Sequence, residues 1–245
     1  MRIDPARFAG APLDALKLVA AVLMVGDHVD TILLDGHAPI LWRLGRVSFP
    51  LFCLVTALHL ARGGDLGRYA LALLALAVPT QVIYAAAFPY GTTEGSILFT
   101  LAAGVGLAAW LGRAGEGAAH LALATGLTLV LLAPGLAKTG VDFGLAGILM
   151  VPALRLALGR PARFGPWLAL TILALNWHGW HPRGEEPALS ACLDAATVAA
   201  GLAVVGAAAL RLEGLPRFLP AHVLQAFYPA HLLALVGLRA LGLAA

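Results

Sequence analysis

Asp27 and His28 stand side by side in an otherwise apolar run, LDALKLVAAVLMVGDHVDTILL. An aspartate at the centre of a membrane helix costs ~2.5–3.5 kcal/mol on insertion scales, so ionisable groups there face a protein interior or a wet cavity and commonly mark function. Catalysis, proton transfer and helix packing are the roles open to them, and a catalytic role needs a base to take a proton. His28 suits the base, because a neutral imidazole costs less in a membrane than a charge and titrates near neutrality. Asp27 points ~100° away from His28 around the helix. It is expected to meet a basic group such as Arg46, or an acceptor, rather than His28. Arg46 is the candidate cation, since a guanidinium can hold a phosphate, a carboxylate or Asp27. Asp27, His28 and Arg46 are the candidates for a catalytic set, beside proton transfer or packing. The competing readings are a structural ion pair for Asp27 and an interface anchor for Arg46.

Other polar groups fall at comparable depth in other apolar runs. Gln81, Tyr84, Asp142, Tyr228 and His231 are the expected substrate-binding residues. Tyr228 and His231 are three apart and share a helix face. Polar groups converging in an apolar bundle are the default picture of a binding site. Pro79 and Pro229 each withhold a helical hydrogen bond, from the carbonyls of Ala75 and Gln225 respectively. A freed carbonyl at membrane depth needs a partner or a wet cavity, so the last apolar run is expected to be broken or kinked near His231.

Positioning these residues falls to helices. The chain is 60% hydrophobic and 12% charged, with mean hydropathy +0.88. Soluble domains carry about twice that charge. The expectation is an all-α polytopic transmembrane bundle forming a single domain over 1–245. About nine spans are expected, near 13–34, 46–62, 68–88, 96–112, 118–134, 142–158, 165–178, 189–211 and 221–242, each close to the length that crosses ~30 Å of hydrocarbon. With the N-terminus inside, ten Arg residues fall in cytoplasmic segments and four Lys or Arg in outer loops, which is a positive-inside bias. The first run lacks an A-x-A cleavage pattern and is expected to be retained. The net charge of +3 reads as topology signal and not as nucleic-acid binding. Small residues at Gly104/Ala108 and Gly140/Gly144 would allow close helix contacts.

Several weaker signals are set aside. Lys17 is expected to pair with Asp14 at i,i+3 and snorkel, although it could meet a phosphate. Cys53 and Cys192 read as small buried hydrophobes. His178 and His181, with Glu185 and Glu186, lack a helical H-E-x-x-H frame and read as a hydrated loop, so no metal is expected. There is no P-loop, dinucleotide fingerprint or nucleophile elbow.

The segments LDALKLVAAVLMVGDH, GRVSFPLF at 45–52, VPTQVIYAAAF, ILFTLAAG, VDFGLAGILM and FYPAHLL at 227–233 together resemble the TraX family, in family order from the first apolar run to the last. That family also bears a distant likeness to membrane acyltransferases that modify sugars. The resemblance implies a multi-pass enzyme of the bacterial inner membrane that acetylates the N-terminus of a conjugative pilin, with acetyl-CoA as donor. Its implied partners are the pilin, or another small membrane-associated acceptor, and membrane lipid. Transfer of a glycan-directed acyl or lipid-derived phosphoryl unit remains an alternative. So does a proton-coupled transporter, although no inverted repeat of the kind common in transporters is visible.

Overall fold

The computed structural model describes residues 3–88, 91–133, 140–177 and 186–243; the His178–His181 segment lies outside them. The described chain is helical. A 3-10 turn, Pro5–Phe8, is capped by the Asp4 side chain and precedes α1 (Ala11–Leu33). Then follow α2 (Pro39–Gly45), α3 (Ser48–Ala61), α4 (Leu66–Ala87), α5 (Ile97–Ala114) and α6 (Glu116–Leu132). The remainder is α7 (Gly144–Gly159), α8 (Pro161–Trp177), α9 (Pro187–Leu210) and α10 (Ala221–Ala240). Among the described residues there is no strand, only an isolated bridge between Gly95 and Val141.

Local chemistry sets several of these ends. The Asp65 carboxylate accepts from the Arg68 amide at 3.0 Å and starts α4, and Glu186 accepts from the Leu189 amide at 2.7 Å and starts α9. Both satisfy first-turn donors that have no helical partner. Pro50 cannot donate to the carbonyl of Arg46, and the helical path breaks at Arg46 and Val47 between α2 and α3. The apolar helical stretch there runs from Pro39 to Ala61, so it begins ahead of the expected span at 46–62. Pro229 does not break the last helix: α10 is continuous through it.

The helices close a ring. α1 packs on α10, α10 on α4, α4 on α5, α5 on α7, α7 on α8, α8 on α9, and α9 returns to α1. α3 fills the interior, packed on α1 and α7, and eleven of its fourteen residues are buried. Ser48 ties it to α1 by donating its hydroxyl to the Ala20 carbonyl at 2.8 Å. Gly104 lets α5 approach α7: a β-carbon there would stand 3.0 Å from Val151. A β-carbon on Gly140 would meet nothing within 4 Å, so Gly140 mediates no such contact; Gly144 opens α7. Both adopt positive φ in the turn entering α7.

The outside of the ring is apolar. Leu71, Val78 and Val82 of α4, Leu189 and Val204 of α9, and Leu233 of α10 are exposed. Large exposed apolar faces demand a nonaqueous neighbour. Among the described residues five stretches are long and apolar enough to cross a membrane: Pro39–Ala61, Leu66–Ala87, Ile97–Ala114, Pro187–Leu210 and Val223–Ala240. Glu116–Leu132 and Gly144–Gly159 are shorter apolar helices. α1 is 23 residues long but carries Asp14, Lys17, Asp27 and Asp30. Its charges fall inside the ring. Cys53 is buried as expected, whereas Cys192 is exposed on α9.

Candidate functional site

A cavity of about 370 Å³ opens beside the C-terminal half of α1. Asp27, His28, Arg46, Asp142 and Tyr228 all line it, joined by Asp30, Trp42 and Phe143. Five residues expected from sequence thus come together from α1, the α2–α3 break, the loop before α7, and α10.

His231 does not itself line the cavity but meets His28, which does. The His28 Nδ1 and His231 Nε2 are 2.8 Å apart, with the rings nearly parallel at 10°. His231 is packed between Phe227 and Tyr228 on its own helix, and its Nδ1 is 2.9 Å from the Phe227 carbonyl oxygen. A carbonyl can only accept, so His231 Nδ1 donates. A neutral His231 then offers Nε2 as an acceptor, and His28 must donate from Nδ1. That leaves the His28 Nε2 lone pair as the basic position. The pair thereby assigns the tautomer of His28 as a carboxylate does in other base–orienter arrangements.

Arg46 is coupled electrostatically to two carboxylates. Its charge acts on both Asp27 and Asp142, and those two carboxylates repel each other. Among the ion pairs of the described residues none joins Asp27 to Arg46, so the direct pairing expected from sequence gives way to a longer-range attraction. The guanidinium instead sits 5.3 Å from the Trp42 ring centre and 5.0 Å from that of Phe143, within cation–π range. Its Nε donates to Asn176 Oδ1 at 3.4 Å. Asn176 in turn donates to the Ile172 carbonyl at 2.8 Å. α8 therefore orients the cation from behind.

Asp142 is held by a relay of loop contacts. Its amide donates to Gly95 O at 2.7 Å, and its carbonyl accepts from Thr100 Oγ1 at 2.5 Å. Phe143 next to it takes a left-handed conformation, φ 62°, and stacks on Phe49 at 4.3 Å. A non-glycine residue held there signals a conformation imposed by its surroundings. Gln81 lies outside the cavity. Its amide donates to Gly91 O and Glu94 O, both at 2.8 Å, and accepts from the Ser96 amide at 2.9 Å. It fastens the 91–96 loop that bonds to Asp142. Tyr84 is also outside the cavity, buried against Phe88, whose edge contacts His28 at 5.1 Å.

Three contributors escape sequence reasoning. Asp30 is fully buried. One of its carboxylate oxygens takes the Ala38 amide at 2.7 Å, and the other has no hydrogen-bond partner. Its signal was the i,i+3 spacing from Asp27. Trp42 and Phe143, the two rings that carry Arg46, give no signal in sequence, because an aromatic in an apolar run reads as core. Lys17 does pair with Asp14, at 3.6 Å. Among the described residues no cluster of three or more His, Cys, Asp or Glu has the arrangement to hold a metal ion.

A family model described as "TraX protein" matches residues 12–239. Two relatives, each named Protein TraX, come from Escherichia coli. One is 32% identical over 235 residues, and the other, from strain K12, is 34% identical over 236 residues. Each alignment covers 93% of this chain and 87% of the relative. No solved structure matches the chain.

Proposed function

The chain belongs to the TraX family, and from that membership and the cavity chemistry we propose that it is an integral membrane acyltransferase acetylating the N-terminus of a conjugative pilin from acetyl-CoA. In this reading the chain spans the bacterial inner membrane about nine times with its N-terminus in the cytoplasm. The observation that carries the enzyme reading is the His28–His231 pair. It supplies a base whose partner sets its tautomer, beside a guanidinium held on two rings.

The charge of the cavity favours an amine acceptor. Among the described residues Asp27, Asp30, Asp35 and Asp142 line it against one cation, Arg46. An acidic pocket concentrates a cationic ligand such as a protonated terminal amine. Once deprotonated, the amine nitrogen attacks the thioester carbonyl carbon and the C–N bond forms. His28 Nε2 takes the surplus N–H proton, and Arg46 stabilises the oxyanion. Collapse breaks the C–S bond, and the leaving thiolate receives the proton from His28. The products are an acetylated N-terminus and the free thiol.

Intact-mass analysis of the co-expressed pilin tests this reading. The pilin should be one acetyl unit heavier with the wild-type chain than with His28→Ala or without the chain. An unchanged mass in all three would overturn it.

A further inference from the structure

A second cavity, about 830 Å³, lies against the first. Met24, Ile97 and Tyr228 line both and form their common boundary. The two cavities differ in charge. The first is acidic. The second carries Lys17, His59, Arg62 and Arg217 at the opposite end of α1 from Asp35. Lys17 and Asp30 are ~20 Å apart along α1 at 1.5 Å per residue, most of the thickness of a hydrocarbon core.

The basic end is not neutralised from within. Asp14 is its nearby acid, and it is already shared. It meets Lys17 at 3.6 Å and Arg217 at 3.2 Å, and accepts the Phe218 and Leu219 amides at 3.1 and 3.0 Å. Lys17 and Arg217 therefore share one carboxylate, and Arg62 donates to the Phe8 carbonyl at 3.1 Å. Arg62 and Arg217 act unfavourably on each other, and both act unfavourably on Lys17. An anion at this end would relieve that repulsion.

Between the basic end and the shared boundary the walls are apolar, from Leu73, Leu76 and Leu98 among others. Two polar handles interrupt them. Pro79 and Pro229 lack the N–H that would bond the carbonyls of Ala75 and Gln225. Ala75 and Gln225 both line this cavity. Each proline thus withholds a helical bond from the carbonyl of a residue that lines this cavity, and a carbonyl so deprived calls for a hydrogen-bond donor.

We propose that this cavity is the donor site, taking an elongated, phosphate-bearing acyl thioester whose phosphate lies on Lys17, Arg62 and Arg217, whose amide N–H groups meet the Ala75 and Gln225 carbonyls, and whose acyl end reaches the Met24–Ile97–Tyr228 boundary. The proposal rests on the acyl-transfer reading above. An anionic phospholipid shares the phosphate and the apolar chain, but a diacylglycerol phosphate has no amide hydrogens for the two carbonyls.

The test uses the full chain in detergent and in nanodiscs, with coenzyme A as the probe. Calorimetric titration should show binding. Arg62→Gln should weaken it about tenfold or more, as expected for a lost charge-assisted contact. Leu76→Trp, and independently Ala72→Phe, should narrow the tube and weaken binding further while the melting temperature stays near wild type. His28→Ala should bind coenzyme A as wild type does. Nanodiscs of phosphatidylglycerol should compete no better than those of phosphatidylcholine.

Absent binding, an affinity indifferent to Arg62→Gln, or displacement by phosphatidylglycerol alone would overturn the proposal. Should either tube variant fail to fold, Arg62→Gln with the other decides. Failure of the two readings is distinguishable. Coenzyme A binding with these dependences but no pilin acetylation would sink the transfer reading alone. Acetylation with an acetyl-CoA KM unmoved by Arg62→Gln and Ala72→Phe would sink the donor site alone.

Discussion

Gly45 and Asp27 touch so closely that a β-carbon on Gly45 would stand 2.4 Å from the Asp27 β-carbon and 2.7 Å from its Oδ1. The end of α2 is thereby laid against α1 at the level of Asp27, and Arg46 follows immediately. The glycine that opens the GRVSFP segment is a spacing device. Only hydrogen fits between the α2 backbone and the Asp27 side chain there.

Gly45→Ala should consequently displace Arg46 from Asp27. Overpacking of this kind typically costs ~1–3 kcal/mol. The variant is expected to melt several degrees lower and to lose most transfer activity. Scanning calorimetry and a pilin acetylation assay on the same preparation check both. Wild-type activity in Gly45→Ala would show that α2 has room to move without consequence.

For the imidazole pair, His28→Ala should lower transfer by ~10²–10⁴, the usual contribution of a positioned base, with normal insertion and yield. His231→Gln retains an oxygen that can accept from His28 Nδ1, so it should keep more activity than His231→Leu. Equal activity in the two His231 variants would argue that His231 only fills space.

Arg46 is expected to resist conservative exchange. A lysine lacks the planar fork and stacks poorly on Trp42 and Phe143, so Arg46→Lys should lose at least tenfold in rate. Arg46→Gln leaves Asp27 and Asp142 repelling each other without the cation that attracts both. Adding Asp142→Asn should return part of the lost melting temperature but none of the activity. The coupling energy from this double-mutant cycle is expected at roughly 0.5–3 kcal/mol. Additive losses would mean that Arg46 and Asp142 act independently.

Membrane orientation can be read by thiol labelling in a Cys192→Ser background, since Cys192 is exposed and Cys53 buried. Cysteines at His37 and Thr92 should react with impermeant reagents applied from outside, and cysteines at Arg113 and Leu215 should not. All four positions are exposed. The reverse pattern would place the acidic cavity on the cytoplasmic face.

The sequence by itself determined the class and much of the cast. Composition and apolar run length dictate helices, because a backbone in hydrocarbon must bond internally. Asp27, His28, Arg46, Asp142, Tyr228 and His231 were legible because each costs free energy in an apolar run and so needs a reason to be there. Tertiary structure alone decided how they are paired. His28 and His231 are 203 residues apart, and no local periodicity reports a contact of that separation. Arg46 was expected on Asp27, yet the ring seats it on Trp42 and Phe143, since side-chain direction follows from how α2 crosses α1. Gln81 carried the same signal as the site residues but serves the 91–96 loop, because a buried amide bonds to whichever backbone groups the fold leaves open. The prolines showed only that the Ala75 and Gln225 carbonyls lose a partner. That both residues line one cavity beneath a basic rim is a property of the packed helices, as enclosed volume exists only once the walls have met.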